Sequence, residues 1–121
     1  MINLLLYSNK PKSPSWIFYS KLLVSNNKLI HYDYSTEVNI PYLANYDIVL
    51  LFGSNYDLSE IRAQNKNVII GHLEPRAAQR NDLFNYDFII VNSIESQDYF
   101  SKYCKSTFYI QLIQYCIIKI T

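Results

Sequence analysis

The sequence predicts an α/β domain built on a mostly parallel sheet of about five to six strands with helices on both faces. Short apolar runs recur at nearly even spacing: Ile2 to Tyr7, Leu29 to Tyr34, Asp47 to Phe52, Asn67 to Ile70, Asp87 to Val91 and Thr107 to Ile113. They are rich in Ile, Leu, Val and aromatic residues and mostly lack apolar/polar alternation, the pattern of strands covered on both faces. Helical segments lie between them, and strand, helix, strand repeated this way needs right-handed crossovers that wind the chain into one sheet.

Each element has its own local reason. After the first run, Ser13-Pro14 supplies an N-cap and a first-turn proline, and Trp16, Tyr19 and Leu23 then recur on one helical face. Asn26-Asn27 ends that helix with residues that tolerate left-handed backbone. Tyr34 to Tyr46 carries no clear period. Asp57 to Gln64 predicts a short helix with Leu58 and Ile61 facing inward, and Pro75 to Asn85 fits a loop or one or two helical turns. Ser93 caps a helix over IESQDYFSKY, with Glu95 and Asp98 near its positive end and Lys102 and Lys105 near or beyond its negative end. No internal repeat or linker divides the chain, so residues 1–121 read as one domain, the place of 114–121 staying open.

Composition narrows the function classes. A chain of 121 residues, half of them hydrophobic, has material for one packed core. Its net charge of +1, from 11 basic and 10 acidic residues well interspersed, makes no field that gathers a polyanion, so nucleic acid is not expected as a partner. No apolar segment approaches the ~20 residues of a membrane span, and MINLLLYSNK lacks the marks of a signal peptide, which makes the cytoplasm the expected compartment. Cys104 and Cys116 fit neither a disulfide framework nor a zinc site and read as small apolar residues; no metal or cofactor is implied. The twelve tyrosines follow the general bias toward residues of AT-rich codons and are not counted as stacking platforms.

Candidate site residues collect at strand ends. In an open parallel sheet, ligands bind beyond the carboxyl ends of the strands. The only two glycines, Gly53 and Gly71, both read as standing there, where the chain turns and a missing side chain admits a ligand to the backbone. The same edge is predicted to receive Ser8, Asn9 and Lys10, then Ser54 and Asn55, then His72, Glu74 and Arg76, then Asn92 and Ser93. His72 is the sharpest candidate, because imidazole suits proton transfer near neutral pH. Its plain alternative is a histidine that hydrogen-bonds the turn. Glu74 fits a carboxylate that accepts a hydroxyl proton or orients His72, or a polar entry to a turn. Arg76 and Arg80 fit a clamp for a phosphate or carboxylate, or simply a solvated loop. His31, inside the second run, reads as structural.

Several chemistries drop out. SNKPKSPSW stands where a G-x-G-x-x-G would follow the first strand, which disfavours a tightly bound dinucleotide. No Walker A, H-E-x-x-H or G-x-S-x-G occurs, and Tyr7-Ser8 and Phe52-Gly53 occupy the places where a response-regulator receiver needs acidic residues.

The order DIVLLFGSN, NVIIGHLEPR, NYDFIIVNSIESQDYFSKY resembles the N-terminal Rossmann-like half of GT-B glycosyltransferases, over roughly Ile2 to Ile113. The resemblance implies a domain that binds the hydroxyl acceptor while a second domain binds the nucleotide-sugar. It implies for His72 alone the role of catalytic base or contact to the transferred sugar; Glu74 joins it as a catalytic candidate on its own chemistry. Gly53 and Ser54 would then line the acceptor side, with Ser93 and Glu95 at the rim, while Ser8, Asn9, Gly71 and Arg76 are ligand-binding candidates from their predicted place at the strand ends. Two features depart from that family: no glycine-rich turn follows the first strand, and the C-terminal nucleotide-sugar domain is absent. The expectation is a truncated product or one piece of a two-chain enzyme, inactive alone. The alternative is a non-catalytic module that binds a small ligand or a partner, its apolar tail QLIQYCIIKIT pairing with a second copy or another chain.

Overall fold

The computed structural model describes residues 1–9, 30–36, 42–104 and 106–109. Along them run β1 (Ile2–Ser8), β2 (Ile30–Ser35), β3 (Ile48–Phe52), α1 (Leu58–Gln64) and β4 (Ile69–Leu73). A 3-10 helix (Ala77–Asn85), β5 (Phe88–Val91), α2 (Ile94–Phe100) and β6 (Thr107–Tyr109) follow. The strands form one six-stranded parallel sheet in the order β2-β1-β3-β4-β5-β6, flanked by helices, which is the Rossmann-like α/β architecture expected. Lys10, the helix expected from Ser13, Cys116 and the tail over 110–121 lie outside the described residues. Packing divides the chain into two compact units, Met1–Gly71 and His72–Thr121.

In the first unit β1 sits between β2 and β3, with Leu4 opposite both Tyr32 and Ile48. Both of its edges are paired and both faces covered, so Leu4 to Ser8 are buried without a break. Val49 to Phe52 on β3 repeat the pattern. Each such aliphatic side chain contributes roughly 1.5–3 kcal/mol on leaving water. β2 differs: it is the first strand in the sheet order, and His31, expected to be structural, is exposed.

Local chemistry sets the ends of α1. Asp57 Oδ1 accepts from the amides of Ser59 at 3.0 Å and Glu60 at 3.3 Å, satisfying two donors that the first turn leaves without helical partners. Ile61 turns fully into the core. The helix stops at Asn65, whose extended backbone leaves the spiral while its side-chain amide donates to the carbonyls of Leu43 and Tyr46. The loop before β3 is thereby tied to the end of α1.

The second unit packs Leu83, Ile89, Val91, Phe100 and Cys104 together, with Tyr86, Tyr103 and Tyr109 against them. β5 and β6 pair in parallel, Ile90 opposite Phe108. Ser93 caps α2 as expected, its Oγ accepting from the amide of Ser96 at 3.1 Å. The helix is shorter than expected: regular structure ends at Phe100 and 101–103 form turns.

The fourth strand corrects the reading of Gly71. It runs Ile69–Leu73, so Gly71 and His72 lie inside it and both are buried. Among the described residues Gly53 is the glycine with positive φ, at +118°, and Gly71 continues the extended chain into Leu73. The turn falls instead at Glu74, whose φ is 45°. A glycine breaks a strand only where the chain has reason to turn, and the burial of His72 and Leu73 keeps it straight.

Candidate functional site

The carboxyl end of β1 in the first unit is closed by its own residues. Asn9 donates from Nδ2 to the Ser54 carbonyl at 2.7 Å, and its backbone amide donates to the Tyr56 hydroxyl at 3.0 Å. That hydroxyl in turn donates to the carbonyl of Phe52. A Cβ on Gly53 would stand 1.9 Å from Asn9 Oδ1, so the open space at this glycine is filled by asparagine. Ser8, predicted at the rim, is fully buried at the end of β1. Asn9, Gly53 and Ser54 are thus joined in one turn, and the glycine answers to backbone geometry and a close approach.

The second unit holds the open part of the predicted edge. His72 is 1 % exposed. Its ring meets Tyr86 edge to face at 5.2 Å between centroids, and its Nε2 lies 3.4 Å from Gln79 Nε2. Gln79 Oε1 accepts from the Arg76 amide at 2.8 Å, which orients the amide so that its NH2 faces the imidazole. That places Nε2 of His72 opposite a donor. Burial, with Asp82 adding, pushes the Tyr86 phenol far above its ordinary value.

Glu74 faces differently from the expected His72 partnership. Its amide donates to the Ile90 carbonyl at 2.7 Å, and its Oε1 accepts from Asn92 Nδ2 at 2.5 Å. Left-handed backbone in a residue that is neither Gly nor Asn costs about 1–2 kcal/mol, so β5 holds this turn in place. Beyond it, Pro75 and Arg76 form one wall of an open cleft of about 610 Å3, and Glu95, Ser96, Tyr99 and Phe100 of α2 form the other. Arg76 and Glu95 were both predicted as site residues, and the structure brings them to one cleft. Ser93 stays below it as the helix cap, donating from Oγ to Ser96 Oγ at 2.9 Å.

Ser96 and Tyr99 escaped sequence reading. Their signal was helical spacing: Tyr99 stands four residues after Glu95 and three after Ser96, and Phe100 four after Ser96. Cys104 behaves as expected of a core residue: it is buried and its thiol is pushed up by desolvation, away from the thiolate a nucleophile or metal ligand requires.

Comparison with protein families, characterised proteins and solved structures finds no significant match for this chain. Among the described residues, no helix is long and apolar enough to cross a membrane.

Proposed function

We propose that the chain is a Rossmann-like binding domain whose cleft beyond β4 takes a small hydroxyl-bearing ring such as a sugar. In this reading it serves as the acceptor-side part of a glycosyltransferase-like enzyme, and transfer from a nucleotide-sugar needs a second domain. One observation carries it: Arg76 and Glu95 line the same cleft as the half-exposed ring of Tyr99. A guanidinium donates to hydroxyl oxygens, a carboxylate accepts from hydroxyls, and a flat aromatic face suits the apolar side of a sugar ring. The cleft walls are rich in Pro75, Tyr99 and Phe100, as ligand sites with a few placed polar groups are.

Burial of His72 favours binding without catalysis as the second reading. A general base must come within about 2.6–3.2 Å of the proton it takes, or reach it through one water. Amide-resolved NMR titration of the full chain with a panel of monosaccharides and disaccharides separates these outcomes. Saturable shifts at Arg76 and 95–100, weakened about tenfold or more by Tyr99→Ala, are expected, a loss of about 1.4 kcal/mol. Absence of shifts at the cleft across the panel, or equal binding by Tyr99→Ala, overturns the proposal.

A further inference from the structure

Exposed aromatic surface continues past the cleft of the second unit. Tyr99, on the cleft wall, is 39 % exposed, and its ring centroid lies 5.7 Å from that of Tyr103 in the turns after α2. Tyr103 in turn meets Phe84 of the 3-10 helix edge to face at 6.1 Å. Phe84 and Tyr99 thus each meet Tyr103, which makes a row with Tyr103 in the middle. Tyr103 also packs against the buried cluster around Phe100, which fixes the centre of the row. Phe84, at its far end, is 67 % exposed, so most of a large apolar ring faces water.

We infer that this row extends the cleft into a path for an oligosaccharide, so that the ligand is a chain of sugar residues and not a single ring; the inference rests on the sugar-binding reading of the cleft. Single exposed aromatic residues are ordinary on a protein surface, whereas contiguous ones mark a binding face. The steps of 5.7 and 6.1 Å between centroids are comparable with the length of a pyranose residue, which gives each ring one sugar to cover. The C–H face of a sugar lies on an aromatic ring while its hydroxyls point outward to polar neighbours. Exposed Asn81 and Asn85 stand on either side of Phe84 in the chain, and amides both donate to and accept from hydroxyls.

The shape of the row also selects the linkage. Its neighbouring ring planes are turned from one another by 49° and 70°. Successive sugars must rotate to lie against successive rings, as an α-1,4-linked chain does when it coils and an extended, nearly flat β-1,4-linked chain does not. Tyr and Phe have few side-chain torsions and Tyr103 is already packed, so binding orders little that was free.

The test is amide NMR titration of the full chain with glucose, maltose, maltotetraose and cellotetraose, repeated on Phe84→Ala and Phe84→Trp. Maltotetraose is expected to bind about tenfold or more tighter than glucose and to shift the signals of Phe84 and Tyr103 as well as those of the cleft. Phe84→Ala should remove most of that gain while leaving glucose within about twofold of the parent, and Phe84→Trp should keep it. Cellotetraose should gain less than maltotetraose. Phe84 is exposed, and unchanged thermal unfolding of Phe84→Ala separates loss of the surface from loss of the fold. Glucose binding in the cleft with no gain along the maltose series overturns the inference and leaves the sugar-binding reading standing. So does a gain untouched by Phe84→Ala, or an equal gain for cellotetraose. Absence of binding by all four sugars overturns the inference as well, and the wider monosaccharide panel then decides the cleft by itself.

Discussion

Replacing Gly53 by alanine tests the account of the first strand-end turn most directly. The backbone there has φ +118°, a region L-residues rarely occupy, and holding a side chain in it costs about 1–3 kcal/mol. The new Cβ also falls 1.9 Å from Asn9 Oδ1 and 3.0 Å from its Cγ, so the asparagine must leave. Leaving breaks its 2.7 Å bond to the Ser54 carbonyl, a further ~0.5–1.5 kcal/mol. Gly53→Ala is therefore expected to lose about 2–4 kcal/mol, a large share of the 5–15 kcal/mol typical of a domain. At ~4 °C per kcal/mol for a chain of this size, the unfolding midpoint drops by roughly 8–16 °C. Circular dichroism on the parent, Gly53→Ala, Asn9→Ala and the double variant completes the cycle. The clash is absent once Asn9 is alanine, so the two losses should sum to more than the double variant shows, by ~0.5–1.5 kcal/mol. A single-variant loss under ~0.5 kcal/mol, within the ordinary range of surface changes, or strict additivity refutes the argument from close approach.

Other consequences follow from caps and titrating groups. Ser93→Ala removes the acceptor for the Ser96 amide and should cost ~1 kcal/mol in urea unfolding, with Ser93→Asp restoring most of it; an unchanged midpoint would remove Ser93 from the helix end. The Ser59 hydroxyl, then the Glu60 amide, hold the Asp57 carboxyl below its ordinary value of 3.8. Its capping contribution is accordingly present above that value and lost as pH falls through the lower folded one. The Ser59 and Glu60 amide signals should titrate with a midpoint below 3.8, and a midpoint at or above it contradicts the cap. Burial, with the bond to Asp33 adding, pushes the Tyr46 phenol up to about 12. Stability from its neutral form is complete below the ordinary 10 and lost as pH rises through 12, so its ring carbon should titrate near 12 and lower in Asp33→Asn. No change in Asp33→Asn would detach Tyr46 from the carboxylate.

What was legible in the sequence was what single strands and single turns of helix decide for themselves. Leu4 to Tyr7 and Val49 to Phe52 read as strands because central parallel strands need apolar residues on both faces, and that requirement leaves an unbroken run. Ser93 read as a cap because the bond it makes spans three residues, whereas Asp57, read as the first residue of its helix, is the N-cap in the structure. Gly71 and His72 were misplaced because their setting is tertiary: a polar ring enters the core only where Gln79 and Tyr86, seven and fourteen residues on, come to meet it. The second run looked buried for the converse reason. HYDYS carries a period of two, with His31, Asp33 and Ser35 on one face, and that alternation marks a sheet edge more truly than its tyrosines mark a core. Arg76 and Glu95 were found, but Tyr99 was counted among tyrosines explained by codon bias.

Glu74 separates the structural and functional accounts of the cleft. Its backbone, φ 45°, suits glycine or asparagine, yet the residue present is a carboxylate anchored to Asn92, directly before Pro75 and Arg76 of the cleft wall. Replacement by glycine relieves about 1–2 kcal/mol of strain and gives up a hydrogen bond at a partly exposed site, ~0.5–1.5 kcal/mol. The two nearly cancel, and Glu74→Gly should unfold within ~1 kcal/mol of the parent. Binding should not be spared, because the turn that presents Arg76 loses its side-chain tie to the residue after β5 and must be ordered again by the ligand. Near-parent stability with sugar affinity reduced several-fold is therefore the signature of a strained residue kept to position a site. A variant several kcal/mol less stable would make Glu74 a structural anchor, and one that binds the parent's sugar equally well would take the turn out of the site.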